Sequence, residues 1–206
     1  MAASLRALSS AEIATQSQEI TRRVLSSPFF LRSKNVSCYL NMPSGEVDTS
    51  ELVSEILRAG KTLFVPKMNT KGDGTMDFFQ VHGEEDLRSF PSGLWGIKEP
   101  NYERGGKRRA SALESAASDQ LDLILLPGVA FDKSLSRLGH GKGYYDRFIS
   151  EYTSPTIGNK GKPLLVALAL REQILEAGQV PTVLHDWKMD VIVGPDGILC
   201  REEFAE

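Results

Sequence analysis

The sequence predicts an α/β domain with a mostly parallel sheet flanked by helices, on three observations. Strand-like and helix-like segments alternate along the chain. Residues 123–126, within a strand read at 121–126, and 164–170 are continuous apolar runs, as expected of strands buried on both faces. The first strand, helix and following strand are spaced as a βαβ unit, whose parallel strands need a right-handed crossover. At about 150 residues per domain, a chain of 206 residues is read as one domain spanning 1–206 with a core of useful size.

Taken in order, Ser9 and Glu12 match a capping box, and Ile13, Ile20, Val24 and Leu25 share the helical face that follows, which Pro28 is expected to end. Residues 36–40 read as a short strand. Asp48 and Glu51 form a second capping-box pattern ahead of the stripe Leu52, Val53, Ile56 and Leu57, with Gly60 placed to close the helix. Residues 62–65 are the next strand, 69–74 a turn, and 76–79 its partner. The basic then Ala/Ser-rich stretch 105–119 has no apolar period. It is read as part of a flexible loop at about 103–119, its cations Lys107, Arg108 and Arg109 facing solvent. After the buried strand 121–126, a helix is expected from about 143 to 152, the second buried strand at 164–170, a short helix at 171–177, a last strand at 191–193, and a turn at Pro195-Asp196-Gly197.

Composition narrows the function. With 24 basic and 27 acidic side chains the net charge is −3, which argues against a nucleic-acid binder. No apolar run approaches the roughly 18 residues of a membrane span. Cys38 and Cys200 form no CxxC pattern, so neither a disulfide framework nor a zinc cage is indicated. The Ala/Ser-rich start with Arg6 faintly resembles a mitochondrial presequence, but Glu12 and Glu19 follow at once, and a cytoplasmic protein is the expectation.

The chemistry concentrates in Leu126-Pro127-Gly128-Val129-Ala130-Phe131-Asp132 and Arg137-Leu138-Gly139-His140-Gly141-Lys142-Gly143-Tyr144-Tyr145-Asp146, between the end of a buried strand and the start of a helix. That edge of an open α/β sheet is where ligands bind. Alternate glycines at 139, 141 and 143 let backbone N–H groups converge into an anion nest at a helix N-terminus. Lys142 adds a point charge, Arg137 a fork of donors, and Asp146 a carboxylate suited to Mg²⁺ shared with phosphate oxygens. It is not a Walker A loop, because Gly143 follows Lys142, nor a dinucleotide fingerprint, because Tyr144 holds the place of the third glycine. On spacing alone, a tight glycine turn within a helix-capping network remains the alternative.

These motifs, together with Phe64-Val65-Pro66-Lys67, Gly93-Leu94-Trp95-Gly96-Ile97, Glu99-Pro100 and His185-Asp186-Trp187-Lys188-Met189-Asp190, resemble the 5-formyltetrahydrofolate cyclo-ligase family, also called 5,10-methenyltetrahydrofolate synthetases, from about residue 6 to 193. The resemblance implies a Rossmann-like, NagB/RpiA/CoA-transferase-like architecture. It also implies conversion of 5-formyltetrahydrofolate to 5,10-methenyltetrahydrofolate with ATP and Mg²⁺, releasing ADP and phosphate. The γ-phosphoryl group goes to the formyl oxygen, N10 closes the ring, and phosphate departs, so positioning and charge neutralisation dominate.

Carried over by position, the resemblance gives Arg137, Leu138, Gly139, His140, Gly141, Lys142, Gly143, Tyr144, Tyr145 and Lys67 to ATP. It gives Leu40, Glu46, Trp95, His140, Gly141, Lys142, Gly143 and Tyr144 to folate, Lys142 and Tyr144 to catalysis, and Asp146 and Asp186 to Mg²⁺. The implied partners are ATP and 5-formyltetrahydrofolate with its polyglutamates, with no nucleic acid or membrane, acting on a monomer. His140 stands where many members carry Arg, and the family's early Lys-x-x-Leu-Arg would fall before Met1, an expectation of a truncated first helix or weaker ATP binding. Two alternatives stay open: a folate-binding or buffering protein with impaired ATP use, and a sugar-phosphate isomerase on a similar scaffold.

Overall fold

A computed structural model describes residues 2–43, 45–69, 74–93, 96–114, 119–157 and 160–201. Seven strands form one sheet in the order β12-β11-β9-β6-β1-β2-β3. They are β1 (Asn35–Cys38), β2 (Thr62–Met68), β3 (Met76–Val81), β6 (Leu123–Leu126), β9 (Leu164–Leu168), β11 (Val191–Val193) and β12 (Ile198–Cys200). The pairs β1–β2, β1–β6, β6–β9 and β9–β11 are parallel, and only the edge strands β3 and β12 run antiparallel to their neighbours. The mostly parallel sheet is therefore as expected.

Side-chain parity along β6 shows why its run is continuously apolar. Leu123 and Leu125 join a core cluster on one face, and Ile124 and Leu126 join a second cluster on the other. The first cluster is covered by α2 (Ser10–Ser26), α3 (Pro28–Arg32) and α4 (Ser50–Arg58), through Ile20, Val24, Phe30, Leu52, Val53 and Ile56. The second is covered by α6 (Tyr144–Tyr152), through Phe148, Ile149 and Tyr152. The result is three layers, with helices on both faces. Two short helices, α1 (Ala2–Ala7) and α5 (Glu84–Arg88), complete the helical set of the described residues. No helix among these residues is long and apolar enough to cross a membrane.

The Ser9–Glu12 capping box is present: the Ser9 hydroxyl accepts from the Glu12 N–H at 3.2 Å, and the Glu12 carboxylate accepts from the Ser9 N–H at 2.8 Å. Gly60 follows α4 at φ +71°, as its closing position requires. Three expectations need correction. Asp48 and Glu51 make no capping box. Thr49 is the cap residue, its hydroxyl is drawn to the Tyr39 carbonyl at 2.8 Å, and Asp48 accepts from Ser50 N–H instead. Pro28 is not one of them: it ends α2 as expected, the residue before it, Ser27, being extended at φ −74° and ψ 143°, and it then opens α3, where its missing N–H costs nothing. Residues 171–177 are a single 3-10 turn, Arg171–Gln173, that passes into β10 (Ile174–Leu175). Gln173 accepts from the Leu170 N–H at 2.8 Å, a cap on the start of the turn, and Ile174 leaves the turn in extended backbone at φ −93° and ψ 115°.

The third correction concerns the basic stretch. It carries a small hairpin of β4 (Glu103–Arg104) and β5 (Lys107–Arg108), both exposed, but Arg109 is buried. Its guanidinium forks onto Asp86 with two bonds of 2.6 Å, and it also donates to the carbonyls of Asn101 and Gln80. Burial would raise the Asp86 pKa, yet the hydrogen bonds from Arg109 and the His82 N–H outweigh it and hold the carboxyl below its ordinary value.

Candidate active site

Strands β1 and β6 are neighbours, but the chain winds outward from them in opposite directions, through β2 to β3 on one side and β9 to β11 on the other. Their C-terminal ends thus mark a switch point, where connecting loops diverge and leave a crevice. A cavity of about 790 Å³, counting space open to solvent, occupies that place. Its walls come from residues after β1 (Tyr39, Leu40, Met42, Glu46), from the ends of β2 and β3 (Pro66, Met68, Met76), from Ile97 and Glu99, and from the glycine loop after β6. The size suits a drug-sized ligand, and the mixture of apolar wall with few polar groups is that of a binding site.

The glycine loop has a rigid base that the sequence did not announce. Between β6 and α6 the chain forms β7 (Ala130–Asp132) and β8 (Arg137–Leu138), an antiparallel pair. Asp132, fully buried, accepts from the N–H groups of Ser134, Ser136 and Val180 at 2.9, 3.1 and 3.1 Å. These bonds outweigh burial and keep its carboxyl below the ordinary value. Leu135 is consequently held at φ +64°, an unusual conformation for a branched side chain.

Above this base, Gly141 and Gly143 have φ of +78° and +62°, where other residues would be strained, and Gly143 is the N-cap of α6. Gly139 plays a different part from its neighbours. It is not left-handed, but a Cβ there would come within 3.1 Å of an Arg137 nitrogen. Arg137 is buried and donates to Asp146 Oδ2 at 2.5 Å, and its Nε finds no acceptor among the described residues. Asp146 Oδ1 accepts from the Trp187 N–H at 3.0 Å. Lys142 is exposed at the cavity rim, and Tyr144 lines the wall with the Arg147 guanidinium over its ring at 5.5 Å. Tyr145 lies behind, edge-on to Phe78, its phenol pushed up by burial and the Glu46 charge.

Across the cavity Glu46 is buried. Its Oε2 accepts from the Met42 N–H at 2.9 Å, and its Oε1 lies 3.7 Å from His140 Nε2. Glu46 raises the His140 pKa above 6.5 against a smaller desolvation effect. Arg137, Gly139, His140, Lys142, Gly143, Tyr144, Tyr145, Asp146, Leu40 and Glu46 therefore share one cavity, as expected from the sequence. Leu138 is in β8, Gly141 in the loop, and Trp95 lies outside the described residues.

Two expected positions are placed elsewhere. Lys67 does not meet the glycine loop. Because β2 continues to Met68, Pro66 and Met68 face the cavity, and Lys67 faces an adjoining groove with Asp77, Phe79 and Tyr102. Asp186 is not in the cavity wall. Its Oδ2 accepts from the Val183 N–H at 2.8 Å, in a turn that delivers the next residue, Trp187, to Asp146. Among the described residues, no three His, Cys, Asp or Glu side chains converge on a metal position. Conversely, sequence reasoning overlooked Glu99 and the methionine wall. The only available signal was Glu99's place in a quoted motif.

A family model described as the 5-formyltetrahydrofolate cyclo-ligase family matches residues 1–195. A Schizosaccharomyces pombe protein named as a probable 5-formyltetrahydrofolate cyclo-ligase is 39% identical over 189 residues, 91% of this chain and 87% of its own. A Mus musculus 5-formyltetrahydrofolate cyclo-ligase is 35% identical over 192 residues, covering 93% and 88%. Among solved structures, Aquifex aeolicus 5,10-methenyltetrahydrofolate synthetase superposes with a TM-score of 0.69 at 32% identity, covering 93% of this chain and 84% of that one.

Proposed function

Since the chain belongs to the 5-formyltetrahydrofolate cyclo-ligase family, whose reaction is the ATP-dependent conversion of 5-formyltetrahydrofolate to 5,10-methenyltetrahydrofolate, we propose that the β8–α6 loop holds the ATP phosphates and the adjoining cavity holds the folate. The observation that carries this reading is Arg137: a buried guanidinium with an idle Nε, beside two left-handed glycines at a helix start. A buried donor without an acceptor is costly, and a phosphate oxygen there would relieve it. The same idle donor argues against a folate-buffering protein that makes no use of ATP.

The formamide oxygen is a poor leaving group until it is phosphorylated. In this reading Lys142 neutralises charge on the γ-phosphoryl group as it moves to that oxygen, and the loop N–H groups hold the phosphates in line. Tyr144 and the wall of Leu40 and Glu46, together with Trp95, orient the folate so that N10 reaches the activated carbon. N10 attack closes the ring, and phosphate leaves. Lys67 acts from behind the wall and serves ATP only at a distance.

Asp146 fits a Mg²⁺ of the usual kind, bound through one or two carboxylates and phosphate oxygens. Asp186 Oδ1 makes no hydrogen bond among the described residues and is the second carboxylate of this reading. Bound there, Mg²⁺ would neutralise phosphate charge. We place the working protein in the cytoplasm as a monomer, using ATP and 5-formyltetrahydrofolate with its polyglutamates. Purified full-length protein should produce the methenyl chromophore only when ATP, Mg²⁺ and 5-formyltetrahydrofolate are all present. Production without ATP, or none with all three, overturns the reading.

A further inference from the structure

The motif containing Glu99 has no role in the scheme above, yet it supplies the most conspicuous unmet polar group in the cavity. Glu99 is 8% exposed and lines the same cavity as Glu46 and His140. Its Oε2 is 3.7 Å from Lys67 Nζ, a compensating charge beyond hydrogen-bond length, and its Oε1 is buried with no partner among the described residues. An ionised carboxylate only accepts, so the missing partner is a donor. Pro66, Met68, Met76 and Ile97, in the same lining, are apolar and broad, suited to the faces of a flat ring.

Glu46, the other buried carboxylate, differs in that both of its oxygens already meet protein groups, the Met42 N–H and His140. Local construction also serves Glu99. The segment returns on itself through the Gly93 N–H to Ile97 carbonyl bond and the Glu99 N–H to Pro91 carbonyl bond. A Cβ at Gly93 would lie 2.9 Å from the Glu99 carboxyl carbon, so the glycine leaves room for the carboxylate.

We propose that Glu99 is a specificity-determining residue for the folate, its Oε1 accepting from the donor edge of the pteridine, the 2-amino group and N3–H. The inference rests on the reading that this cavity takes the reduced folate. It makes Glu99 a recognition group for the ring beside Glu46, whose oxygens the Met42 N–H and His140 already engage.

The test is equilibrium binding of 5-formyltetrahydrofolate, and of its 2-desamino-2-methyl analogue, to the full-length protein and to Glu99→Gln, followed by fluorescence titration without ATP. Replacing an acceptor oxygen with an amide should weaken folate binding about 10- to 100-fold, with the KM for ATP and the melting temperature nearly unchanged. The unsubstituted protein should bind the analogue about 10- to 100-fold more weakly than the folate, and Glu99→Gln should lose most of that discrimination. Equal binding of folate and analogue by the unsubstituted protein overturns the inference, even if the variant does not fold. So does full discrimination retained by Glu99→Gln. Failure of the unsubstituted protein to bind the folate at all overturns the reading of the cavity as well.

Discussion

Two Arg–Asp pairs among the described residues look alike in outline and differ in what they leave undone. Arg109 and Asp86 have side chains 3% and 1% exposed, and all three guanidinium nitrogens donate, forked onto the carboxylate and bonded to two carbonyls. Arg137 and Asp146 are 5% and 17% exposed, joined by one short bond, with Nε idle. Breaking either pair strands a charge, but only the second offers a vacancy to a ligand. A satisfied ion pair holds the β3–α5 corner to the return loop; an unsatisfied one marks a place where binding completes the hydrogen bonding.

That contrast can be broken experimentally. Arg109→Met should produce the largest loss of stability, about 3 kcal/mol, because it leaves a buried carboxylate with only the half-exposed Arg104 at 3.2 Å and the His82 N–H, or very roughly 6–12 °C in melting temperature for a chain of this size. Turnover per folded molecule should survive. A melting temperature that hardly moves would show the pair is not what holds that corner. The Asp86 pair also has an acid limit. Its folded pKa lies below the ordinary 3.8, so its stabilisation is present above that value and lost as pH falls through the lower folded one.

Lys142→Ala should do the reverse: turnover falls about 10²–10³-fold, as when a preorganised charge-stabilising donor is removed, while the melting temperature moves by about 2 °C or less. Parallel losses of stability and activity would remove Lys142 from the chemistry. Arg137→Met should raise the KM for ATP about 10- to 100-fold. It should destabilise less than Arg109→Met, because Asp146 keeps the Trp187 N–H and some solvent. Asp146→Asn should raise the Mg²⁺ concentration giving half-maximal rate several-fold, and an unchanged metal titration would exclude it as a ligand.

The smallest effect concerns His140, which is half exposed, so its pairing with Glu46 is modest and screened by salt. Glu46 raises its folded pKa, so the charge is held below about pH 6.5 and is lost as pH rises through the raised value. The KM for ATP should climb across that step and flatten in His140→Arg; identical pH profiles would dissociate His140 from the phosphates.

What could be read beforehand follows from how local each cause is. The two-faced burial of β6 and the Ser9–Glu12 cap depend on neighbours within one turn or one strand, and both appear as expected. The glycine loop was legible because its spacing constrains the backbone itself. Other features depend on distant partners. The Asp48–Glu51 pattern repeats the first cap in letters, but the Tyr39 carbonyl claims the Thr49 hydroxyl. Arg109 belongs to a run of cations and is drawn inside by Asp86, 23 positions away. The face that Lys67 takes could not be read from a strand ended at Val65, since three more extended residues set which way each side chain points. Glu99 had no local signature as a ligand group.

Gly93 gives this arrangement a practical edge. An alanine there would be absorbed by swinging the flexible Glu99 side chain aside, with little burden on folding. If Glu99 reads the ring as proposed, Gly93→Ala would leave the melting temperature nearly unchanged and still weaken the hold on folate, a loss that high substrate concentration would make good.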